Sequence, residues 1–173
     1  MYKRQEHNLL SLEYDVQEDP EQIVKRFKFL IDQNLGDEPF SIIAHSYGCV
    51  LSARLLSYYD NVKHLFALSS PWAGSRTAKW LSLVFRQSKL FATMTPGSAF
   101  LTSIADTNSE IPITNIITAG TSSGNALAGL GSSPNDGLLT IETQTKVPVG
   151  FVNKENITVD LSHNEVLLSM DIV

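Results

Sequence analysis

Ile42-Ile43-Ala44-His45-Ser46-Tyr47-Gly48 is the stretch on which the reading of this chain turns. Apolar residues lead up to Ala44, and a second apolar series, Val50, Leu51, Leu55 and Leu56, begins just past the serine at helical spacing. The pattern is a strand, a sharp turn and a helix. A turn that tight nearly brings strand and helix into contact, so the residues two before and two after the serine must be small, as Ala44 and Gly48 are. Ser46 is thereby lifted above the sheet edge with the backbone N–H of Tyr47 facing the same space. A plain helix N-cap is the blander reading of a serine here. The small neighbours and the preceding strand favour an exposed nucleophile.

The elements on either side extend this pattern. Leu9 to Tyr14 is a short apolar run that reads as a strand. Asp19, Pro20 and Gln22 form a helix start, and Ile23, Phe27, Leu30 and Ile31 then share one face. Gly36 is the stop, Phe40 to Ala44 the next strand, and Val62 to Leu68 the one after the second helix. This β-α-β-α-β order predicts an α/β layered fold with a mostly parallel central sheet. Right-handed crossovers then gather the C-terminal ends of the strands at one edge. Trp72 to Asn108 is mostly helical in pattern, broken at Pro96-Gly97-Ser98; its many apolar side chains read as core packing or as a cap over an apolar pocket. Ile113 to Ala119 reads as a strand, and Gly120 to Asp136 as a long Gly/Ser/Asn-rich loop of the kind that usually carries function. Leu138–Ile141 and Val147–Val152 are short apolar runs, Ile157 to Leu161 the last strand, and Asn164 to Met170 a last short helix.

Size and composition narrow the classes. A chain of 173 residues, 43% hydrophobic and 18% charged, fits one globular domain over residues 1–173. A net charge of −5 argues against nucleic acid as a partner. No apolar run approaches the roughly 20 residues that span a bilayer. The single cysteine, Cys49, gives neither an internal disulfide nor a cysteine-based metal cage, and reads as a buried small hydrophobe. The N-terminus lacks the apolar stretch of a secretion signal, so a cytoplasmic location is expected.

A serine hydroxyl needs a base to take its proton, and the base needs an orienting carboxylate. Four histidines are available. His45 adjoins the serine and should point away from it, His7 precedes the first strand, and His64 falls inside a strand. His163 follows the last strand, at the edge where Ser46 stands. For the acid, Asp136 in Pro134-Asn135-Asp136-Gly137 follows the long loop; Asp106 and Glu110 lie before the fourth strand, and Asp160 is too near His163 along an extended segment. Asn-Asp-Gly is also ordinary turn chemistry. Ser46, Asp136, His163 is the chain order used by α/β-hydrolases.

Three blocks, Ala44-His45-Ser46-Tyr47-Gly48, Asn135-Asp136-Gly137-Leu138 and Ser162-His163-Asn164-Glu165, resemble the nucleophile elbow, acid loop and histidine loop of small lipases and esterases of the α/β-hydrolase superfamily. Thr95-Pro96-Gly97-Ser98-Ala99-Phe100-Leu101 is a softer match to a segment of bacterial lipases. The resemblance implies a three-layer α/β fold, Ser46 as nucleophile, His163 as base, Asp136 as orienting acid, the Tyr47 N–H in the oxyanion hole, a small-molecule acyl ester as substrate, and no metal or organic cofactor. The chain also departs from that pattern. Such hydrolases carry a strand ending in a His-Gly loop that gives the second oxyanion N–H, and no counterpart stands before Leu9. The central sheet is thus expected to be truncated on its N-terminal side. Either the strands Leu9–Tyr14 and Phe40–Ala44 pair directly, with Asp15-Val16-Gln17 near Ser46, or another polypeptide fills the gap. The alternative function is then a catalytically impaired binding or interaction protein, including a homo-oligomer joined through an open sheet edge.

Overall fold

The computed structural model describes residues 9–85, 87–105, 107, 109–120, 134–151 and 154–169. Four strands, β1 (Phe40–His45), β2 (Val62–Leu68), β3 (Ile113–Thr118) and β4 (Lys154–Val159), form one sheet in the order β1-β2-β3-β4, and every pairing is parallel. His45 lies beside Leu68, Leu68 beside Ile116, and Thr118 beside Val159, so the C-terminal ends line a single edge. The chain thus has the expected α/β architecture with a parallel sheet.

Helix α1 (Pro20–Asn34) begins as its sequence dictates: the Asp19 side chain accepts hydrogen bonds from the amides of Glu21 and Gln22, and Pro20 takes the first helical position. It ends before Gly36, whose φ of 57° is a left-handed value that glycine adopts without strain. Helix α2 (Tyr47–Leu55) lies beside α1 on one sheet face. The larger core forms there from Ile23, Val24, Phe27, Val50, Leu51, Leu55 and Leu65, all buried. Each such side chain contributes about 1.5–3 kcal/mol of transfer free energy. Phe40, Ile42 and Ala44 of β1 join this core, while Ser41, Ile43 and His45 face the other side, where a smaller cluster holds Leu68, Ile116 and Val166. Ile43 remains half exposed on that side.

Between β2 and β3 the chain makes three short helices, α3 (Arg76–Val84), α4 (Lys89–Thr93) and α5 (Ala99–Ala105), started by Ser75 and Ser88 side chains that cap α3 and α4. The apolar run in this segment divides. Trp72, Met94, Phe100, Leu101 and Ile104 are buried, whereas Leu83, Val84 and Phe85 stand exposed at the end of α3. A further helix, α6 (Ile141–Thr145), separates the two apolar runs at 138–141 and 147–152.

Three expectations need correction. Leu9–Tyr14 is not a strand: it is an irregular segment outside any ladder, held by Leu10, Leu12 and Tyr14 packing on the core. It therefore does not pair with β1, and among the described residues nothing pairs with the outer edge of that strand. Apolar alternation alone marks a buried face and leaves backbone partners unspecified. The last strand starts and ends earlier than expected, at Lys154–Val159, because ladder bonds to β3 fix it despite its polar first half. The last helix is only a 3-10 turn over Glu165–Leu167. Residues 121–133 of the long loop lie outside the described residues, as do His7 and Asp106.

Candidate active site

Ser46 sits where β1 turns into α2, with φ 51° and ψ −123°. A left-handed φ on a non-glycine residue costs about 1–3 kcal/mol and recurs at functional sites. Two backbone bonds hold it: its amide donates to the Leu68 carbonyl at 2.9 Å, and its carbonyl accepts from the Cys49 amide at 3.0 Å. Although Ser46 occupies the N-cap position of α2, its hydroxyl makes no capping bond. The hydroxyl instead lies 2.9 Å from Nε2 of His163.

His163 follows β4 and is buried, as is Asp136. Nδ1 of His163 lies 2.8 Å from Oδ2 of Asp136, and the His163 amide donates to the Asp136 carbonyl at 3.0 Å. The two loops are thus joined through side chain and main chain. A neutral imidazole carries one N–H. With Nδ1–H donating to the carboxylate, Nε2 presents its lone pair to the Ser46 hydroxyl. The geometry brings Ser46, Asp136 and His163 together from three separate loops at the C-terminal sheet edge.

The Asp136 carboxylate is saturated with donors. Oδ1 accepts from the amides of Leu138 at 2.9 Å and Leu139 at 2.7 Å. Oδ2 accepts from the Thr118 hydroxyl at 2.6 Å and from Nε2 of Gln144 at 3.2 Å, besides His163. Burial pushes this carboxyl up, but the bonds from His163, Thr118 and the Leu139 amide, with the charge on a protonated His163, outweigh it and hold the pKa below the usual carboxylate value. Gln144 is itself fixed: its Oε1 accepts from the Thr118 amide at 2.9 Å and its Nε2 also donates to the Thr118 carbonyl at 3.0 Å. Behind Thr118 stands Ser69, whose hydroxyl lies 2.8 Å from that of Thr118 and whose φ is also 51°.

Ser69, Thr118 and Gln144 were not legible as site residues. Thr118 ends a strand that already holds Thr114 and Asn115, and Gln144 lies in a short polar helix, so neither stands out in the sequence. His45, expected only to point away from the serine, contacts His163. Its Nε2 lies 2.8 Å from the His163 carbonyl and its ring 4.8 Å from the His163 ring. Burial lowers its pKa, which favours the neutral ring that donates Nε2–H to that carbonyl. His64 is structural: it meets the Thr114 hydroxyl at 2.8 Å and stacks on Phe66. Cys49 is fully buried against the Ala44 and Leu68 carbonyls, and burial pushes its thiol up to about 12, far from a thiolate nucleophile. Glu110 and Asp160 are exposed. A surface depression between α1 and Tyr58–Asn61 lies at the opposite end of the sheet and is unrelated to Ser46.

No family model matches the chain, and no curated protein matches its sequence. Solved structures do. Phospholipase PlaB from Legionella pneumophila superposes with a TM-score of 0.61 at 15% identity, over 76% of this chain and 35% of that one. The Pyrococcus furiosus esterase Pf2001 gives a TM-score of 0.57 at 17% identity, over 90% of this chain and 58% of that one. The Bacillus licheniformis lipase BlEst2 gives 0.58 at 17% identity, over 91% and 74%. The chain thus spans about a third of the phospholipase and less than two thirds of the archaeal esterase. With the parallel sheet, this likeness shows that the chain shares its α/β fold with these lipases and esterases. No helix among the described residues is long and apolar enough to cross a membrane.

Proposed function

We propose that the chain is a serine hydrolase of carboxylic esters, with Ser46 as nucleophile, His163 as base and Asp136 as orienting acid. The observation that carries this reading is the continuous relay from Ser46 Oγ to His163 Nε2 at 2.9 Å and from His163 Nδ1 to Asp136 Oδ2 at 2.8 Å. Ser46 attacks the ester carbonyl while His163 Nε2 takes its proton. Asp136 fixes the tautomer and stabilises the imidazolium that forms. The Tyr47 N–H, free in the first turn of α2, faces the developing oxyanion. His163 then protonates the leaving alkoxide. A water molecule deprotonated by His163 cleaves the acyl-enzyme, returning Ser46 and releasing the acid. The apolar excursion that leaves β2 at the same edge, exposed at Leu83, Val84 and Phe85, suits an apolar acyl chain.

A fluorophosphonate probe tests the reading. Fluoride leaves as the Ser46 oxygen bonds phosphorus, so the native chain is expected to be labelled at Ser46, and Ser46→Ala to lose both the label and p-nitrophenyl ester turnover. Turnover that survives the substitution rejects Ser46. A second reading, a non-catalytic interaction protein, is favoured by the unpaired outer edge of β1. It predicts no labelling and a stable dimer by light scattering.

A further inference from the structure

An oxyanion is held well only by two donors, and the Tyr47 N–H is one. The proposed Ser46 chemistry therefore lacks a partner for that N–H. The segment Leu9–Tyr14 changes what the edge beside β1 offers. It ends with Tyr14 over the first turn of α2, its hydroxyl 3.6 Å from the point where a Cβ on Gly48 would stand. Gly48 is the residue after Tyr47, so this hydroxyl lies beside the turn whose free N–H groups face the reaction space.

The ring of Tyr14 is fixed while its oxygen is not. Its edge contacts are with Phe27 at 5.7 Å and Tyr47 at 6.0 Å. The backbone before it is tied to α1, where Arg26 donates to the Glu13 carbonyl at 3.3 Å and pairs with Glu18 at 2.7 Å. Among the described residues the Tyr14 hydroxyl has no hydrogen-bond partner, and the side chain is only partly buried. A fixed phenol whose O–H is bonded to no described protein group, beside the turn where negative charge is to develop, can donate to that charge. Burial raises its pKa, so it keeps its proton at neutral pH.

We propose that the Tyr14 hydroxyl is the second oxyanion donor, a side-chain group in place of a backbone N–H. The inference rests on Ser46 being the nucleophile. As the Ser46 Oγ–carbon bond forms, the carbonyl π pair moves onto oxygen, and the Ser46 proton passes to His163 Nε2. The new oxyanion accepts from the Tyr47 N–H and the Tyr14 O–H. The phenol proton stays on Tyr14 throughout. When the tetrahedral centre collapses, the pair returns to the carbonyl and the alcohol leaves with the proton from His163.

The test compares native chain with Tyr14→Phe, which keeps the ring packing and removes only the donor. The expected result is a fall of about 10²-fold or more in kcat for a p-nitrophenyl ester, with KM changed little. The rate of fluorophosphonate labelling should fall in step, with Ser46 still the residue labelled. A trifluoromethyl ketone, whose adduct on Ser46 bears an oxyanion, should bind more weakly by the same factor as kcat falls. A purely structural role would not tie these two losses together. The proposal is overturned if Tyr14→Phe leaves kcat and ketone affinity within threefold of native, or if KM alone rises. Tyr14→Trp, which keeps bulk and offers an indole N–H from a different position, should remain as slow as the phenylalanine variant; native rates in it also overturn the proposal. Native chain that takes no label at Ser46 withdraws the nucleophile reading, and Tyr14 with it. Labelled native chain with an unaffected Tyr14→Phe removes Tyr14 alone.

Discussion

Asparagine in place of Asp136 is expected to lower kcat for ester hydrolysis about ten-thousand-fold while the chain stays folded. The reason lies in the donor count around the buried carboxylate. The side-chain oxygen of an asparagine can still accept from the Leu138 and Leu139 amides, which hold Oδ1 at 2.9 and 2.7 Å. Its NH₂ then occupies the Oδ2 position, facing Thr118, Gln144 and His163 Nδ1. A donor there forces Nδ1 to accept, which moves the imidazole proton to Nε2. Nε2 then presents N–H to Ser46 and cannot take its proton. Gln144 Nε2 also loses its acceptor on Oδ2, so a lower melting temperature accompanies the loss of rate. The pH dependence has a definite sign. The folded-state pKa of Asp136 lies below the ordinary 3.8, so its ionised form stabilises the fold above that pH. This contribution fades as pH falls through the folded value. The stability gap between native chain and Asp136→Asn should therefore narrow in acid, as urea unfolding at several pH values will measure. Turnover near native in this variant would remove Asp136 from the proposed relay.

Gly120→Ala is the second change with a large expected effect, and it acts from outside the proposed relay. A Cβ on Gly120 would stand 2.7 Å from the Leu161 carbonyl carbon, 2.8 Å from its nitrogen and 2.9 Å from its Cα. All three are backbone atoms, so no side chain can swing aside. The Gly120 amide also donates to the Leu161 carbonyl at 2.9 Å, which pins the two segments together. The methyl group must displace the chain at Leu161, two residues before His163. Overpacking of this kind costs about 1–3 kcal/mol, and a displacement near 1 Å at the base costs about 10²-fold in rate. Gly36→Ala is the control. It has nothing within 4 Å of its Cβ and only its φ of 57° to oppose it, so a modest loss of stability with native kcat is expected. Thermal melts and p-nitrophenyl ester kinetics on both variants check this; equal effects on kcat would refute a strain transmitted through Leu161.

How much of this was written plainly in the chain depends on what kind of signal each part leaves. Strands buried on both faces, such as Ile113–Thr118, and helices with caps, such as Asp19-Pro20, declare themselves locally. So does the Ala44–Gly48 turn, because its steric demand falls on residues only two positions away. Asp136 and His163 were reached through order along the chain and through resemblance. Their meeting depends on strand register, which no local pattern encodes. Leu9–Tyr14 misled because packing on a core and pairing in a ladder leave the same apolar alternation. Thr118, Gln144 and Ser69 stayed hidden because a hydroxyl or amide in a buried network looks, in sequence, like any other polar residue near a strand end. The bond between His45 and the His163 carbonyl stayed hidden too, because it joins residues 118 positions apart.

The left-handed backbone at Ser46 has an energetic corollary for the whole molecule. Small domains fold with a margin of only about 5–15 kcal/mol, and a serine at φ 51° uses up a noticeable share of it. Glycine would occupy the same bend at ease. In a library screened for heat resistance alone, position 46 is where glycine should be enriched, and each such survivor would have exchanged reactivity for robustness.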